Sequence, residues 1–221
     1  PFSFKSKLMI EILILSFVQG VTEFLPVSSS SHLIVISEYL NFQNQNLSID
    51  ISMHIGSFAA VICFFHKDIF NFIENKDLLI KILVSSIPVM VVGFFLIQTN
   101  TIENIRSIKV IGWMTIIFGI LLYLSDKFNV KNNIKKNFNF KSALIIGLFQ
   151  ILSLIPGVSR SGITISAGRI LNFSRYESAK ISFLLSIPTL GAVSIFGISK
   201  IITSNESGLY NINILSIILS F

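Results

Sequence analysis

The chain has 221 residues, of which 52% are hydrophobic and only 13% are charged, and its formal net charge is +6. A soluble domain usually carries about 25% charged residues, so this composition excludes an ordinary soluble protein and predicts one that crosses a membrane. The single cysteine, Cys63, excludes an internal disulfide framework and a cysteine-based metal site. The modest positive charge is typical of basic loops on one side of a membrane, so nucleic acid is not an expected partner.

Apolar segments of roughly 17 to 22 residues recur along the chain between short polar stretches, and each is long enough to cross a bilayer core of about 30 Å. Two of them, Leu8–Leu25 and Ala143–Ile155, run directly into polar stretches rich in serine. Each of these two is either a full helix or a half-helix that enters the membrane and turns back. The pattern predicts an all-α polytopic membrane protein. Its clearest spans are predicted near Ile49–Phe65, Leu78–Ile97, Ile108–Leu124 and Ile181–Ile202.

The stretch DKFNVKNNIKKNFNFK, between Ser125 and Ser142, carries five lysines against one aspartate. Positively charged loops stay on the cytoplasmic side, so we predict that this loop is cytoplasmic. Counting back through the spans places Asn41–Ser48, and with it the first serine-rich stretch, near the outer face. The chain ends in INILSIILSF, which is too short to span, so we expect further chain beyond Phe221.

Two pairs of stretches resemble each other within the chain. FLPVSSS resembles LIPGVSRS, and SSIPVMVVGFF resembles LSIPTLGAVSIFG, in the same order. We therefore predict a single membrane domain over 1–221, made of two related halves, roughly 1–124 and 142–221, joined by the loop 125–141. Such halves are typical of inverted repeats in transporters, and here re-entrant half-helices would carry the two serine-rich stretches.

The first polar cluster lies in QGVTEFLPVSSSSH. Gln19 and Glu23 share a helix face because they are one turn apart, and Pro26 ends that helix. A carboxylate, a row of hydroxyls and the imidazole of His32 are the ingredients of an activated nucleophile or a general acid–base pair. A structural alternative has the serines cap the next helix while Glu23 pairs with a Lys or Arg. An ionisable residue among apolar neighbours favours the functional interpretation.

The second polar cluster is PGVSRSGITIS, at Pro156–Ser166. Its two glycines allow a ligand to approach the backbone closely, and the stretch leads into an expected helix N-terminus, which attracts anions. Arg160 adds a planar fork of donors suited to bidentate contact with phosphate. The pattern predicts a phosphate-binding site without a P-loop lysine. For His54, in MHIGSFAAVICFF, we favour a hydrogen-bonded packing role over a place in a cavity.

Together, QGVTEFLPVSSSSH and PGVSRSGITIS resemble the two signature motifs of the undecaprenyl-diphosphate phosphatases, also called bacitracin resistance proteins. Similarity extends to IGSFAAV, to the SIP segments and to SRYESAKISFLLSIP. The resemblance implies hydrolysis of undecaprenyl diphosphate to undecaprenyl phosphate and phosphate, which recycles the lipid carrier for cell-wall synthesis and confers bacitracin resistance. It also implies a multi-pass protein among the lipids of the bacterial plasma membrane, with an active site open to the outer face; a homodimer is left open.

Carried over by motif position, the resemblance implies catalytic roles for Glu23 and His32, a nucleophile at Ser29, and a grip on the diphosphate by Arg160. It implies a divalent cation, Mg²⁺ or Ca²⁺, for which Glu23 is the candidate ligand. Gln19 stands where many members have a second Glu, which argues against a cation site built on two carboxylates. The remaining residues expected to bind substrate are Gln19, Ser28, Ser159, Ser161 and Thr164.

Two alternatives stay open at this point. Water, with His32 as its base, is an alternative to Ser29 as the attacking group. A polyprenyl-phosphate flippase or transporter built on inverted repeats would explain the repeated halves and the buried polar groups without hydrolysis. It predicts movement of the lipid without release of phosphate.

Overall fold

The computed structural model describes residues 4–42, 47–99, 107–203 and 207–221, which form helices joined by short turns. Within these ranges the backbone pairs in an extended conformation only at an isolated bridge between Asn132 and Phe173. The helices are α1 (Phe4–Thr22), α2 (Ser29–Tyr39), α3 (Leu47–Phe64), α4 (His66–Glu74), α5 (Lys76–Gln98), α6 (Ile108–Ser125), α7 (Ile134–Asn137), α8 (Phe140–Ile151), α9 (Arg160–Ile170), α10 (Arg175–Thr203) and α11 (Ser207–Ser220).

Within the described residues, three helices are long and apolar enough to cross a membrane, namely α5, α6 and the Arg175–Ser199 part of α10. They coincide with three of the four spans predicted from the sequence. The fourth predicted span corresponds to Ser48–Phe64, a shorter apolar helix, and Phe140–Leu154 and Asn211–Ser220 are shorter as well. The chain is therefore an all-α polytopic membrane protein, as its composition predicts.

Short polar side chains begin several of these helices. Asn75 Oδ1 accepts a hydrogen bond from the backbone N–H of Leu78 at 3.2 Å before α5, and Ser107 Oγ accepts one from Val110 at 3.3 Å before α6. Such caps satisfy donors that the first turn of a helix leaves without a partner. Polar residues that precede these two apolar runs therefore fix where α5 and α6 begin.

One compact unit comprises Pro1–Glu23, Ser29–His66 and Leu190–Phe221. In this unit α3 and α11 approach so closely that a Cβ atom on Gly56 would lie 2.2 Å from the carbonyl oxygen of Ile217. Small residues permit such close contact between membrane helices. The buried apolar residues at the centre of the unit are Ile12, Leu15, Leu33, Ile49 and Met53.

The other compact unit comprises Phe24–Ser28 and Lys67–Thr189. Its helices α5 and α8 are in direct backbone contact, because a Cβ atom on Gly147 would lie 2.2 Å from the carbonyl oxygen of Ser85. The hydroxyl of Ser85 also donates to the carbonyl oxygen of Ala143 at 2.6 Å. Buried apolar residues at its centre include Phe72, Ile82, Phe138, Ile146, Phe173, Ile181 and Leu185.

The lysine-rich loop is ordered against the helices that follow it. Backbone N–H groups of Lys131 and Asn132 both donate to the carbonyl oxygen of Asn172 at 3.0 Å, and the Asn132 side chain donates to Leu171 at 2.7 Å. The loop also contains the short helix α7, whose first N–H group donates to Glu177 at 3.1 Å. The loop predicted to connect the two halves is therefore packed within the unit that contains Lys67–Thr189.

The two serine-rich stretches have the same local structure. α1 ends at Thr22 and α2 begins at Ser29, while α8 ends at Ile151 and α9 begins at Arg160 after a short 3₁₀ turn at Leu152–Leu154. α2 and α9 both contain 11 residues, and aligning FLPVSSS with LIPGVSRS also aligns their first residues. The local helix–break–helix pattern is thus repeated. The domain division into two halves, their inverted relation and the re-entrant course of these segments stay predictions.

Candidate active site

The carboxylate of Glu23 is the centre of the first cluster. Glu23 directly follows α1 and is 6% exposed. Its Oε2 accepts a hydrogen bond from the hydroxyl of Ser29, the first residue of α2, at 2.8 Å. The same oxygen accepts another from the side-chain amide of Gln19 at 2.8 Å. The break between α1 and α2 thus turns the chain so that three residues of one motif meet.

His54 joins this cluster from α3. Its Nδ1 lies 3.0 Å from Glu23 Oε2 and 2.7 Å from Gln19 Nε2. Ser57, one turn further along α3, lies 3.5 Å from the same amide nitrogen. The prediction that His54 is hydrogen-bonded holds, but its partners are candidate site residues. The sequence carried no local signal for this contact, because it joins α3 to the end of α1.

The arrangement around Ser29 suits proton transfer. A serine hydroxyl becomes a nucleophile when a base within hydrogen-bonding distance takes its proton, and Glu23 lies at that distance. Ser29 is itself 8% exposed, so water competes little for this hydrogen bond. A buried carboxylate in a membrane protein costs free energy, so its presence at Glu23 favours a functional role over a purely structural one.

Two further residues of the first motif are candidate site residues. Ser28 immediately precedes α2 and is half-buried. His32 lies on α2 three residues after Ser29, and its side chain is exposed. The catalytic role carried over to His32, like those of Glu23 and Ser29, stays a prediction.

The second cluster forms the N-terminus of α9. Ser159 caps the helix, because its Oγ accepts from the backbone N–H of Gly162 at 3.1 Å. The hydroxyl of Ser161 lies 3.1 Å from that of Ser159 and donates to the carbonyl oxygen of Leu25 at 2.5 Å. Thr164 is fully buried and donates to the carbonyl oxygen of Arg160 at 2.8 Å. The helix N-terminus expected from the sequence is therefore present.

Arg160 is the first residue of α9 and is half-buried. Its Nη1 donates to Thr189 Oγ1 on α10 at 3.3 Å. A guanidinium group at the positive end of a helix strengthens the attraction of that end for anions. The second cluster can therefore bind a phosphate group through one charge and a helix terminus.

The two repeated stretches differ in chemistry. Aligning Gln19 with Gln150 places Leu154 at the position of Glu23 and Arg160 at the position of Ser29. Gln19 contacts the carboxylate of Glu23, whereas no described group hydrogen-bonds either amide atom of the fully buried Gln150. The first stretch therefore carries a carboxylate, and the second carries an arginine at the position of Ser29.

The donors around Glu23 do not suit a divalent cation held by the protein alone. The oxygen Oε2 already faces an amide N–H group, a hydroxyl and an imidazole. In the described part of the chain, no three His, Cys, Asp or Glu side chains lie close enough together to hold a metal ion. A hard cation prefers several oxygen ligands, and the other groups that contact Oε2 include two nitrogen-bearing side chains. We therefore assign no catalytic step to a cation, and the expected need for Mg²⁺ or Ca²⁺ stays a prediction.

Comparison with known proteins places this geometry in context. The model of the family described as bacitracin resistance protein BacA matches residues 12–221. An undecaprenyl-diphosphatase of Pelagibacter ubique is 45% identical over 216 residues, which cover 96% of this chain and 83% of that protein. An enzyme of the same name from Jannaschia sp. is 36% identical over 209 residues, which cover 89% of this chain and 78% of that protein. Another from Alteromonas mediterranea is 39% identical over 212 residues, which cover 90% of this chain and 79% of that protein.

Proposed function

Because the chain belongs to the bacitracin resistance protein BacA family, we propose that it hydrolyses undecaprenyl diphosphate to undecaprenyl phosphate and phosphate. Its relatives carry the name of this activity. The reaction returns the lipid carrier to cell-wall synthesis, and a cell that retains the carrier in this way resists bacitracin. The observation that carries the proposal is the buried 2.8 Å hydrogen bond from the Ser29 hydroxyl to the Glu23 carboxylate.

In the proposed reaction Ser29 Oγ attacks the terminal phosphorus and its proton passes to Glu23 Oε2. A bond forms between Oγ and phosphorus, and the bond to the bridging oxygen breaks, so that undecaprenyl phosphate leaves. Water then hydrolyses the phosphoserine and releases phosphate. Direct attack by water, with His32 as base, is the alternative. The 2.8 Å contact favours Ser29, because it gives this hydroxyl a base already in hydrogen-bonding distance.

The second cluster is proposed to bind the diphosphate. Phosphoryl transfer depends mainly on the neutralisation of charge that spreads over the phosphoryl oxygens. Arg160 supplies a permanent positive charge, and the α9 N-terminus supplies backbone N–H groups. The hydroxyls of Ser28, Ser159, Ser161 and Thr164 are the proposed polar lining around the substrate.

We further propose a setting for the reaction in the bacterial plasma membrane. The lysine-rich loop would face the cytoplasm, and the active site would open toward the outer face. Membrane lipids surround the apolar helices, and the isoprenoid tail of the substrate would lie among them. A homodimer is compatible with the proposal but is not required by it.

Phosphate release from a C55 or shorter polyprenyl diphosphate by the purified chain in detergent tests the proposal. We expect turnover by the wild type, with losses on the order of 10²- to 10⁴-fold in Glu23→Gln, because the base is removed. Arg160→Ala should abolish turnover while leaving the protein folded, as judged by size-exclusion chromatography. Parallel reactions with Mg²⁺, Ca²⁺ or EDTA measure any need for a cation.

Movement of the lipid across vesicles without phosphate release would instead support the flippase alternative. Full activity in Arg160→Ala would remove this residue from the mechanism.

A further inference from the structure

The contact between His54 and Glu23 connects α3 with the end of α1. The side chains of His54 and Glu23 are 16% and 3% exposed, so water competes little for either. α3 is itself held firmly, since Met53 is fully buried and Gly56 packs against the backbone of Ile217. The imidazole is therefore presented to the carboxylate from a helix with little freedom to move.

The distance of 3.0 Å between His54 Nδ1 and Glu23 Oε2 is that of a hydrogen bond when Nδ1 carries the hydrogen atom. A carboxylate oxygen and an unprotonated imidazole nitrogen are both acceptors, and two acceptors this close repel each other. Without a hydrogen on Nδ1, Gln19 Nε2 is the shared donor, since it lies 2.7 Å from Nδ1 and 2.8 Å from Oε2. In either arrangement hydrogen bonds tie this oxygen to the ring and leave it without a proton of its own, as a base requires. Oε2 is also the oxygen that accepts the hydroxyl of Ser29.

Gln19, on α1, donates a second hydrogen bond to the same oxygen of Glu23. Its amide nitrogen lies 2.8 Å from Glu23 Oε2, and Ser57 on α3 lies 3.5 Å from that nitrogen. Glu23 has three rotatable side-chain bonds, and burial alone does not select one orientation of its carboxyl group. Contacts with Gln19 on α1 and His54 on α3 select a single orientation of the carboxyl group, in which Oε2 faces Ser29.

We propose that His54 is a positioning residue that holds Glu23 Oε2 against Ser29. This role rests on the proposed phosphatase function, since it concerns the group that takes the Ser29 proton. Displacement of a catalytic group by about 1 Å costs on the order of 10²-fold in rate. Because His54 acts through Glu23 and holds no substrate group in this scheme, its loss lowers kcat and leaves KM nearly unchanged.

The test compares His54→Leu with His54→Gln in the phosphate-release assay. Leu is close to His in volume but forms no hydrogen bond, whereas the amide of Gln can still donate to Glu23. We expect His54→Leu to lower kcat about 10²-fold with KM within about threefold of the wild type, and His54→Gln to recover about tenfold of that loss. His66→Leu is the matched control, because His66 lies exposed at the start of α4 and should leave kcat unchanged.

A double-mutant cycle distinguishes positioning from a general loss of structure. If His54 acts through Glu23, His54→Leu should have almost no further effect in a Glu23→Gln background. His54→Gln in the same background gives the same cycle with a variant that keeps a hydrogen-bonding side chain. Independent losses in this cycle, a change confined to KM, or equal kcat values in Leu and wild type would each refute the role. An inactive wild type would refute the proposed function itself, and this role with it.

Discussion

Arginine side chains hold the end of the lysine-rich loop. Arg169 is 4% exposed and donates to the backbone carbonyl oxygens of Phe173, Asp126 and Phe128 at 2.6 to 2.7 Å. Arg175 forms a two-pronged ion pair with the carboxylate of Asp126, with Nε at 2.8 Å from Oδ1. The hydrogen bond from Arg175, together with its charge and that of Arg169, lowers the pKa of Asp126, although partial desolvation opposes the shift.

This pKa shift predicts how stability depends on pH. The folded-state pKa of Asp126 lies below its ordinary value of 3.8, so the ionised carboxylate stabilises the fold at any pH above that value. The contribution is lost as the pH falls through the lowered folded pKa. We expect Asp126→Asn to reduce the melting temperature in detergent equally at pH 7 and pH 5, and the difference from wild type to shrink only below about pH 4.

Asp77→Asn is the matched control for this measurement, because Asp77 forms an exposed ion pair with Lys81 one turn away. Such surface pairs contribute little, so its melting temperature should stay near that of the wild type. Equal melting temperatures of Asp126→Asn and wild type at neutral pH would contradict the assigned role of Asp126.

Contact between helix backbones decides the packing at the scale of the elements. The Ser85–Gly147 contact leaves no space for a methyl group between α5 and α8. Gly119 on α6 is different, since a Cβ atom there would meet nothing within 4 Å. Both glycines lie inside apolar helices, and hydropathy alone treats them alike.

The same substitution should therefore have opposite effects at the two positions. We expect Gly147→Ala to destabilise the protein by about 1 to 3 kcal/mol, because a Cβ atom would overlap the carbonyl oxygen of Ser85. Gly119→Ala should be neutral or stabilising by up to about 1 kcal/mol, since alanine favours the helix over glycine. Thermal unfolding of both variants in one detergent provides the measurement. Equal stability of the two variants would mean that α5 and α8 can separate without cost.

At the scale of the whole molecule, the charge of the loops predicts the orientation in the membrane. The five lysines of the loop 125–141 should stay in the cytoplasm. The stretch Asn41–Ser48, of which residues 43–46 lie outside the described ranges, should face outward. The chain contains one cysteine, Cys63, so a Cys63→Ser background allows single cysteines to report which side they occupy.

In that background we expect a membrane-impermeant maleimide to label Asn41→Cys, an exposed position just after α2, in intact spheroplasts. Asn129→Cys, in the lysine-rich loop, should be labelled only after the membrane is permeabilised. The physical reason is that translocation of the lysine-rich loop is disfavoured during insertion. The reverse pattern of labelling would invert the proposed orientation and would place the first serine-rich stretch toward the cytoplasm.

The fold class and most helix positions could be predicted from the sequence because hydropathy and segment length are local properties of the chain. The four predicted spans each coincide with a helix, although within the described ranges only three of these helices are long and apolar enough by themselves to cross a membrane. The residue types at Glu23, Ser29 and Arg160 likewise restrict the chemistry before any contact is known. Their catalytic roles stay predictions.

Contacts between distant segments could not be predicted in this way. His54 was interpreted as a packing residue, because nothing in α3 itself indicates that its ring meets the end of α1. No local pattern indicates the three carbonyl partners of Arg169 either, since they lie on both sides of it in the chain.

By itself, then, the sequence determined the class of protein, the apolar segments and the two polar clusters, because burial in lipid selects residue types segment by segment. Only the tertiary structure decided that His54 shares Glu23 with Ser29 and that Gly147 brings α5 and α8 into backbone contact. These features depend on distances between atoms of different helices, and such distances are set by packing of the folded chain.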